Sequence, residues 1–229
     1  MRDKNITWLY LFLIATLADL SFIIDGNSDY RYFSKPLILL GLIIYFYRIT
    51  RPIASKILTK SILGALIFSW IGDILLMWNH LFVYGLGAFL MAHVCYIIGF
   101  KFAQQGPTKL EQVNFVKSFF YNLPIYLAAA FMFYLINPNL GNMKIPVIAY
   151  IIVIVSMVAT ARDRFKKCNP ASFWQVLIGA VLFFISDGAI AISRFFMKFP
   201  ESGVLIMGTY ATAQLLIVMG IRSYLVGQK

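Results

Sequence analysis

The sequence predicts an all-α fold: a polytopic membrane bundle of about eight transmembrane helices, with both termini in the cytoplasm. The first observation is composition, because 61% of the 229 residues are hydrophobic and 13% are charged. A soluble domain is typically about 45–50% apolar and about 25% charged. The second observation is the recurrence of long apolar runs, and the third is the distribution of Lys and Arg between them. We expect a single integral membrane domain over residues 1–229.

Eight runs reach the length of about 20 mostly apolar residues that a membrane-spanning helix requires. They cover residues 6–25, 34–49, 57–78, 81–101, 118–136, 143–161, 172–193 and 203–225. Arg2 and Lys4 precede the first run as in a signal peptide, but no convincing small-x-small cleavage site follows. We therefore interpret this run as the first membrane helix. The very short connection at Asn79-His80 predicts a tight hairpin between the third and fourth runs.

The basic residues indicate the orientation of the chain. Fifteen of the 20 Lys and Arg residues fall on one side of the predicted membrane. They lie in residues 1–5, 48–60, 101–117 and 161–171 and in the C-terminal end from Arg222. The positive-inside rule therefore predicts cytoplasmic termini, in a bacterial inner membrane or an equivalent one. The positive charge lies in short loops, so we attribute the net charge of +11 to membrane topology. We expect membrane lipids as partners and no nucleic acid.

Two aspartates interrupt the apolar runs, Asp73 in the third and Asp187 in the seventh. A charge at the bilayer centre costs roughly 2.5–3.5 kcal/mol on translocon scales, so such residues usually have a function. Both runs leave the cytoplasm, and each aspartate lies about sixteen residues along, in the outer half. Asp19, Lys35 and Tyr210 have a similar predicted depth. We expect a polar chamber open to the outer leaflet, where two carboxylates can divide acid and base roles. The role of Asp19 is left open.

Other polar residues share helix faces with these aspartates. Ser69 lies four residues before Asp73, so the two side chains point the same way, although a serine there can also bond to its own backbone. Arg194 lies two turns after Asp187 on the same helix face. Its guanidinium can bind a lipid phosphate, or the side chain can extend to the membrane interface as a snorkelling residue. The same two interpretations apply to Lys35.

The fourth and eighth runs add four further candidates. His93 and Tyr96 lie beside a stripe of small residues, and we expect His93 to support the site or the fold. Tyr210 and Gln214, four residues apart, either close the pocket or bond between helices. The chain has two histidines and two cysteines, Cys95 and Cys168, so a three-histidine zinc site is impossible and no disulfide framework is indicated. We expect no metal and no organic cofactor.

Several motifs occur together over nearly the whole chain. They are Lys35-Pro36-Leu37, the stretch 69–100 with Gly72-Asp73, Gly85, Phe89, His93 and Tyr96, then Gly179-Ala180-x-Leu182-Phe183-x-x-Ser186-Asp187 with Arg194-Phe195, and Tyr210-x-x-x-Gln214. In this order they resemble the YhhN/TMEM86 family of lysoplasmalogenase-like integral membrane proteins. The resemblance implies a hydrolase that cleaves the vinyl ether bond of a lysoplasmalogen, a lysophospholipid within the bilayer. The products are a fatty aldehyde and glycerophosphoethanolamine or glycerophosphocholine.

The chemistry of this reaction matches the two carboxylates. Protonation of the distal alkene carbon gives an oxocarbenium ion, which water attacks to form a hemiacetal. An acid that stays protonated near neutral pH and a second, ionised carboxylate are both needed, as in glycosidases. We expect Asp73 and Asp187 to be catalytic, and either can be the acid. The residues expected to bind substrate are Lys35, Ser69, His93, Tyr96, Ser186, Arg194, Tyr210 and Gln214. A lipid or small-solute transporter that uses the aspartates for proton coupling is the alternative, and a scaffold or signalling membrane protein is a third possibility. The sequence gives no oligomeric state.

Overall fold

The structure is a computed structural model that describes residues 3–27, 29–52, 56–105 and 115–227. Within these ranges the chain forms eight α-helices and short 3₁₀ turns, without strands. The helices are α1 (Asp3–Ile24), α2 (Arg31–Thr50), α3 (Lys56–Leu75), α4 (Phe82–Phe102), α5 (Phe115–Ile136), α6 (Lys144–Arg162), α7 (Pro170–Phe195) and α8 (Ser202–Val226). All eight are long and apolar enough to cross a membrane. The predicted all-α membrane bundle is confirmed, and the protein is a multi-pass integral membrane protein.

Helix ends differ from the predicted runs by a few residues, for local reasons. α3 ends at Leu75 because the chain turns there, with Trp78 N–H donating to the Leu75 carbonyl before a 3₁₀ turn over Asn79–Leu81. α7 begins at Pro170 because Asn169 caps it, accepting a hydrogen bond of 2.7 Å from Ser172 N–H. The basic residues Arg2, Lys109 and Lys229, which entered the charge count, lie outside the described residues. Cytoplasmic termini remain a prediction.

Close helix approaches depend on glycines at the crossings. A Cβ on Gly72 of α3 would lie 2.6 Å from the Phe89 ring of α4, and one on Gly85 would lie 2.6 Å from Leu76. A Cβ on Gly179 of α7 would lie 2.9 Å from the carbonyl oxygen of Ala213 on α8. Small residues at membrane helix interfaces allow this packing. They fix the register of the α3/α4 and α7/α8 hairpins, which carry both aspartates.

The end of the bundle opposite the candidate site is held by a buried cation. Arg164, between α6 and α7, is fully buried and donates hydrogen bonds to the Ala103 carbonyl (3.0 Å) and the Ser172 hydroxyl (2.6 Å). Burial lowers the pKa of its guanidinium. Because these acceptors lie at the end of α4 and the start of α7, Arg164 joins the two helices that carry His93 and Asp187.

Candidate functional site

Asp187 lies in a cluster of three hydrogen-bonding side chains from three helices. Tyr150 of α6 donates a hydrogen bond to Asp187 Oδ2. His93 Nε2 of α4 lies 3.1 Å from the same oxygen and 2.9 Å from the Tyr150 hydroxyl. His93 is fully buried, while 9% of the Asp187 side chain is exposed. His93 therefore contacts a candidate catalytic aspartate directly.

Asp73 lies in a second cluster, formed by α2, α3 and α8. The Tyr210 hydroxyl donates a hydrogen bond of 2.6 Å to Asp73 Oδ2. Lys35 Nζ lies 3.8 Å from Oδ1. Asp73 is buried and Lys35 is half-buried. The structure thus brings two predicted site residues, Lys35 and Tyr210, to the carboxylate of a third, Asp73.

Two phenylalanine rings stand between the Asp73 cluster and the Asp187 cluster. The Phe183 ring is 4.8 Å from the His93 ring and 5.3 Å from the Tyr210 ring, between centroids. The Phe89 ring lies 5.9 Å from Tyr210 and packs edge-on against Phe183. The two carboxylates therefore do not share hydrogen-bonding partners. Phe183 packs against one partner of each carboxylate, His93 of Asp187 and Tyr210 of Asp73.

Four other predicted site residues lie between helices. Tyr96 donates a hydrogen bond to Gln214 Oε1, which joins α4 to α8. Ser186 donates to the Ile206 carbonyl at 3.0 Å and joins α7 to α8. Ser69 is fully buried, and its Oγ and the Gln214 Nε2 lack a hydrogen-bonding partner in the described part of the chain. None of these four side chains lines either of the two cavities described next.

An apolar cavity of about 50 Å³ lies among α4, α5, α6 and α7. Its wall is built mostly from aliphatic and aromatic side chains, among them Leu86, Met132 and Phe184. Asp187 and Tyr150 line the same cavity. The candidate acid–base residue Asp187 is thus exposed to a space that suits hydrocarbon.

A larger cleft of about 490 Å³ lies beside the apolar cavity, towards the connection between α3 and α4. We call it the cationic cleft, because Arg31, Lys35, Arg194 and Lys198 line it. Four side chains line both spaces, and these are Leu76, Phe82, Ile190 and Phe195. The apolar cavity and the cationic cleft are therefore neighbours with a common wall.

Asp19 positions one of the cations of the cleft. It is fully buried and accepts a hydrogen bond of 2.7 Å from the Ser34 hydroxyl. Arg31 contacts both carboxylate oxygens of Asp19 at 3.3 Å. An arginine fork held on a buried carboxylate has a fixed orientation. Asp19 thus connects α1 to α2 and holds Arg31 at the cleft.

Arg194 is held differently from the other cations. Its guanidinium donates a hydrogen bond of 3.1 Å to Asn79 Oδ1 and lies 4.1 Å from the centre of the Phe82 ring. In the described part of the chain it has no carboxylate within ion-pair distance. Its charge is therefore available to an anion in the cleft.

Three residues of the site, Tyr150, Arg31 and Lys198, were not predicted from the sequence. Tyr150 lies in an apolar run, where a tyrosine is usual, and its partner is distant in sequence. Arg31 and Lys198 are among the five basic residues that fall on the other side of the predicted membrane, and the positive-inside rule uses them only as charges. The position of Arg31 and Lys198 near helix ends could have indicated a role in the site, because charged residues there can line the mouth of a membrane cavity.

The family model of the YhhN family matches residues 30–221. A lysoplasmalogenase of Mycobacterium bovis is 35% identical over 178 residues, 75% of this chain and 63% of the relative. Human lysoplasmalogenase TMEM86B is 33% identical over 162 residues, 70% of this chain and 63% of the relative. Bovine lysoplasmalogenase TMEM86A is 30% identical over 179 residues, 76% of this chain and 68% of the relative. The match thus spans somewhat less than two thirds of the first two relatives. No solved structure matches the chain. On the family match over most of its length, this chain belongs to the YhhN family.

Proposed function

We propose that this protein hydrolyses the vinyl ether bond of lysoplasmalogens, with Asp73 and Asp187 as its two catalytic carboxyl groups. The observation that supports this most directly is the pair of adjoining spaces of opposite character. A lysoplasmalogen has a phosphate head group and one hydrocarbon chain, separated by glycerol and the vinyl ether. The cationic cleft suits the phosphate, and the apolar cavity suits the start of the chain. The names of the related proteins support the same substrate.

The head group is bound by charge and geometry. Arg194 and Arg31 present planar guanidinium groups, which match phosphate oxygens in a bidentate manner. Lys35 and Lys198 add point charges to the same cleft. Because the cleft adjoins the apolar cavity, a bound phosphate leaves the vinyl ether near the common wall. Asp187 lines the apolar cavity, and Lys35, whose Nζ lies 3.8 Å from Asp73 Oδ1, lines the cationic cleft.

The overall reaction adds one water across the vinyl ether. Protonation of the distal alkene carbon and attack of water on the carbon that carries the oxygen give a hemiacetal. The hemiacetal collapses to the aldehyde and a glycerophospho-alcohol. One carboxyl group has to supply the proton, and one carboxylate has to stabilise the cation and activate the water. The residues of the site provide both groups.

The test is product release by purified protein in detergent. Fatty aldehyde should appear from 1-alkenyl-glycerophosphoethanolamine and not from the 1-acyl ester of the same chain length. The Asp25→Asn variant is a matched control, because Asp25 is exposed just after the end of α1 and lies outside both spaces. A protein that releases no aldehyde, but moves a lipid or solute across a vesicle membrane only with a proton gradient, would support the transporter alternative instead.

A further inference from the structure

We infer that Asp187 is the acid that protonates the alkene carbon and that Asp73 is the base that takes a proton from the attacking water. This assignment rests on the proposed function. It follows from where the two spaces hold the two ends of the substrate and from the partners of each carboxylate.

The order of atoms along the substrate gives the first argument. From the phosphate, the chain runs through three glycerol carbons, the ether oxygen, the oxygen-bearing vinyl carbon and then the distal vinyl carbon. The distal carbon receives the proton, and it is the reacting atom nearest the hydrocarbon chain. With the phosphate in the cationic cleft, this carbon lies on the side of the apolar cavity. Asp187 lines that cavity, whereas Asp73 lines neither space and is linked to the cationic cleft through Lys35.

The partners of Asp73 give the second argument. Its Oδ2 accepts the Tyr210 hydroxyl at 2.6 Å, and its Oδ1 faces Lys35 Nζ at 3.8 Å. Each of the two aspartates accepts a tyrosine hydroxyl, but of the two Asp73 alone faces a lysine ammonium among the described residues, which stabilises the carboxylate form that a base needs. Lys35 also lines the cationic cleft. Asp73 is therefore linked to the polar side of the wall, where water enters with the head group.

The partners of Asp187 leave one oxygen for the substrate. The Tyr150 hydroxyl and His93 Nε2 both contact Oδ2. Oδ1 has no partner among these side chains and can carry the transferable proton. Tyr150 and His93 are positioning residues in this scheme, because they hold the carboxyl group without contacting the reacting atoms.

The steps balance with both carboxyl groups restored. The proton of Asp187 Oδ1 moves to the distal carbon, the π electrons form the new C–H bond, and an oxygen lone pair forms the C=O bond of the oxocarbenium ion. Water attacks the adjacent carbon and gives one proton to Asp73. Asp73 then returns this proton to the leaving glycerol oxygen as the C–O bond breaks. The hemiacetal hydroxyl gives its proton to Asp187, and the aldehyde is released.

Deuterium exchange distinguishes the two roles. Full-length Asp73→Asn and Asp187→Asn variants, with Asp25→Asn as control, are incubated in detergent and D₂O with 1-alkenyl-glycerophosphoethanolamine. Remaining substrate is then analysed by mass spectrometry. Asp73→Asn retains the acid but not the base, so we expect protonation to reverse and one deuterium to appear at the distal vinyl carbon. Asp187→Asn should leave the substrate unlabelled.

The outcomes separate the inference from the proposed function. A wild-type protein that releases no aldehyde contradicts the proposed function. If the wild-type protein releases aldehyde, two results would overturn the role assignment and leave the proposed function standing. One is deuterium in the substrate incubated with Asp187→Asn, and the other is no deuterium in the substrate incubated with Asp73→Asn. If Asp73→Asn does not fold, as judged by size-exclusion chromatography, Tyr210→Phe replaces it. That variant removes the donor that orients Asp73 and leaves the Asp187 contacts in place, so it should show labelled substrate alongside slowed aldehyde release, and unlabelled substrate would contradict the assignment.

Discussion

Tyr210 joins α8 to α3 through a hydrogen bond of 2.6 Å from its hydroxyl to Asp73 Oδ2. Both residues are almost fully buried, with exposures of 4% and 3%. Because Lys35 of α2 faces the other carboxylate oxygen, one side chain of α3 fixes the relative position of three helices. The orientation of this carboxylate is therefore set by the packing of the bundle.

Replacing either aspartate by asparagine should abolish turnover while the fold is retained. The amide is nearly isosteric with the carboxyl group but cannot exchange protons, and loss of a general acid or base typically costs about 10²–10⁴-fold. Initial rates of aldehyde release from detergent-purified Asp73→Asn and Asp187→Asn provide the measurement. A correctly folded variant that keeps more than half of the wild-type rate would rule out the mechanism with two carboxyl groups.

Removing the Tyr150 hydroxyl should lower kcat with little change in KM. The hydroxyl contacts Asp187, and a typical hydrogen bond contributes about 0.5–1.5 kcal/mol, which corresponds to about 2–10-fold in rate. Tyr150→Phe is compared with Tyr134→Phe on α5, because Tyr134 is exposed on the surface of the bundle. Equal rates for the two variants would show that Tyr150 does not position the acid.

Loss of charge in the cationic cleft should raise KM more than it lowers kcat. Contacts with the phosphate change little between the ground state and the transition state. Arg194→Ala and Lys35→Ala should therefore weaken binding of the ground state and of the transition state to a similar extent. Lys144→Ala is the control, because Lys144 is exposed at the start of α6 and does not line the cleft. The measurement is a substrate series with and without the phosphate. Equal losses on both substrates would assign Arg194 and Lys35 to packing or topology.

Membrane-impermeant thiol reagents should label the two ends of the bundle differently in intact cells. The native Cys95 and Cys168 are first replaced. A cysteine at Asn139 should then react, and one at Lys167 should not, because the charge distribution places these positions outside and inside. Both side chains are exposed, so access does not depend on unfolding. Labelling at Lys167 alone would reverse the predicted topology and the side from which substrate enters.

A methyl group at Gly179 should destabilise the bundle, whereas one at Gly64 should not. The added Cβ at Gly179 would lie 2.9 Å from the backbone carbonyl of Ala213, which cannot move without shifting α8. Overpacking of this kind costs typically about 1–3 kcal/mol. At Gly64 the nearest atom would be Cys95 Sγ at 3.5 Å, an ordinary contact, so Gly64→Ala should be neutral or stabilising. Thermal unfolding in detergent checks both, and a lower Tm for Gly64→Ala than for Gly179→Ala would contradict this packing.

The membrane helices were predictable because a spanning segment is defined along the chain by about 20 consecutive apolar residues. Asp73 and Asp187 stood out for a similar reason, since each carboxylate breaks such a segment. Their partners could not be derived in the same way. The contact between Tyr150 and Asp187 crosses from α6 to α7, and hydropathy does not indicate which faces of two apolar helices meet.

The same limit applies to the arrangement inside the bundle. Spacing placed Ser69 on one face with Asp73, but it did not show that Ser69 would be covered by neighbouring helices. Nor did it indicate that Phe89 and Phe183 would separate the two carboxylate clusters, because aromatic residues are common on every face of these helices. Which side chains meet inside the bundle depends on the register between neighbouring helices, and the close contacts at the glycines fix that register.

The wall of Leu76, Phe82, Ile190 and Phe195, which borders both the apolar cavity and the cationic cleft, has a consequence for inhibitor design. A compound that occupies one space already holds its second half close to the other, so joining an anionic group to a short hydrocarbon chain raises the effective concentration of each half. Placing a stable cation between them, where the proposed mechanism forms the oxocarbenium ion, adds resemblance to the transition state, which enzymes bind more tightly than their substrates. Such a bridging amphiphile should be selective for this bundle over proteins that offer only a lipid tunnel or only a phosphate site.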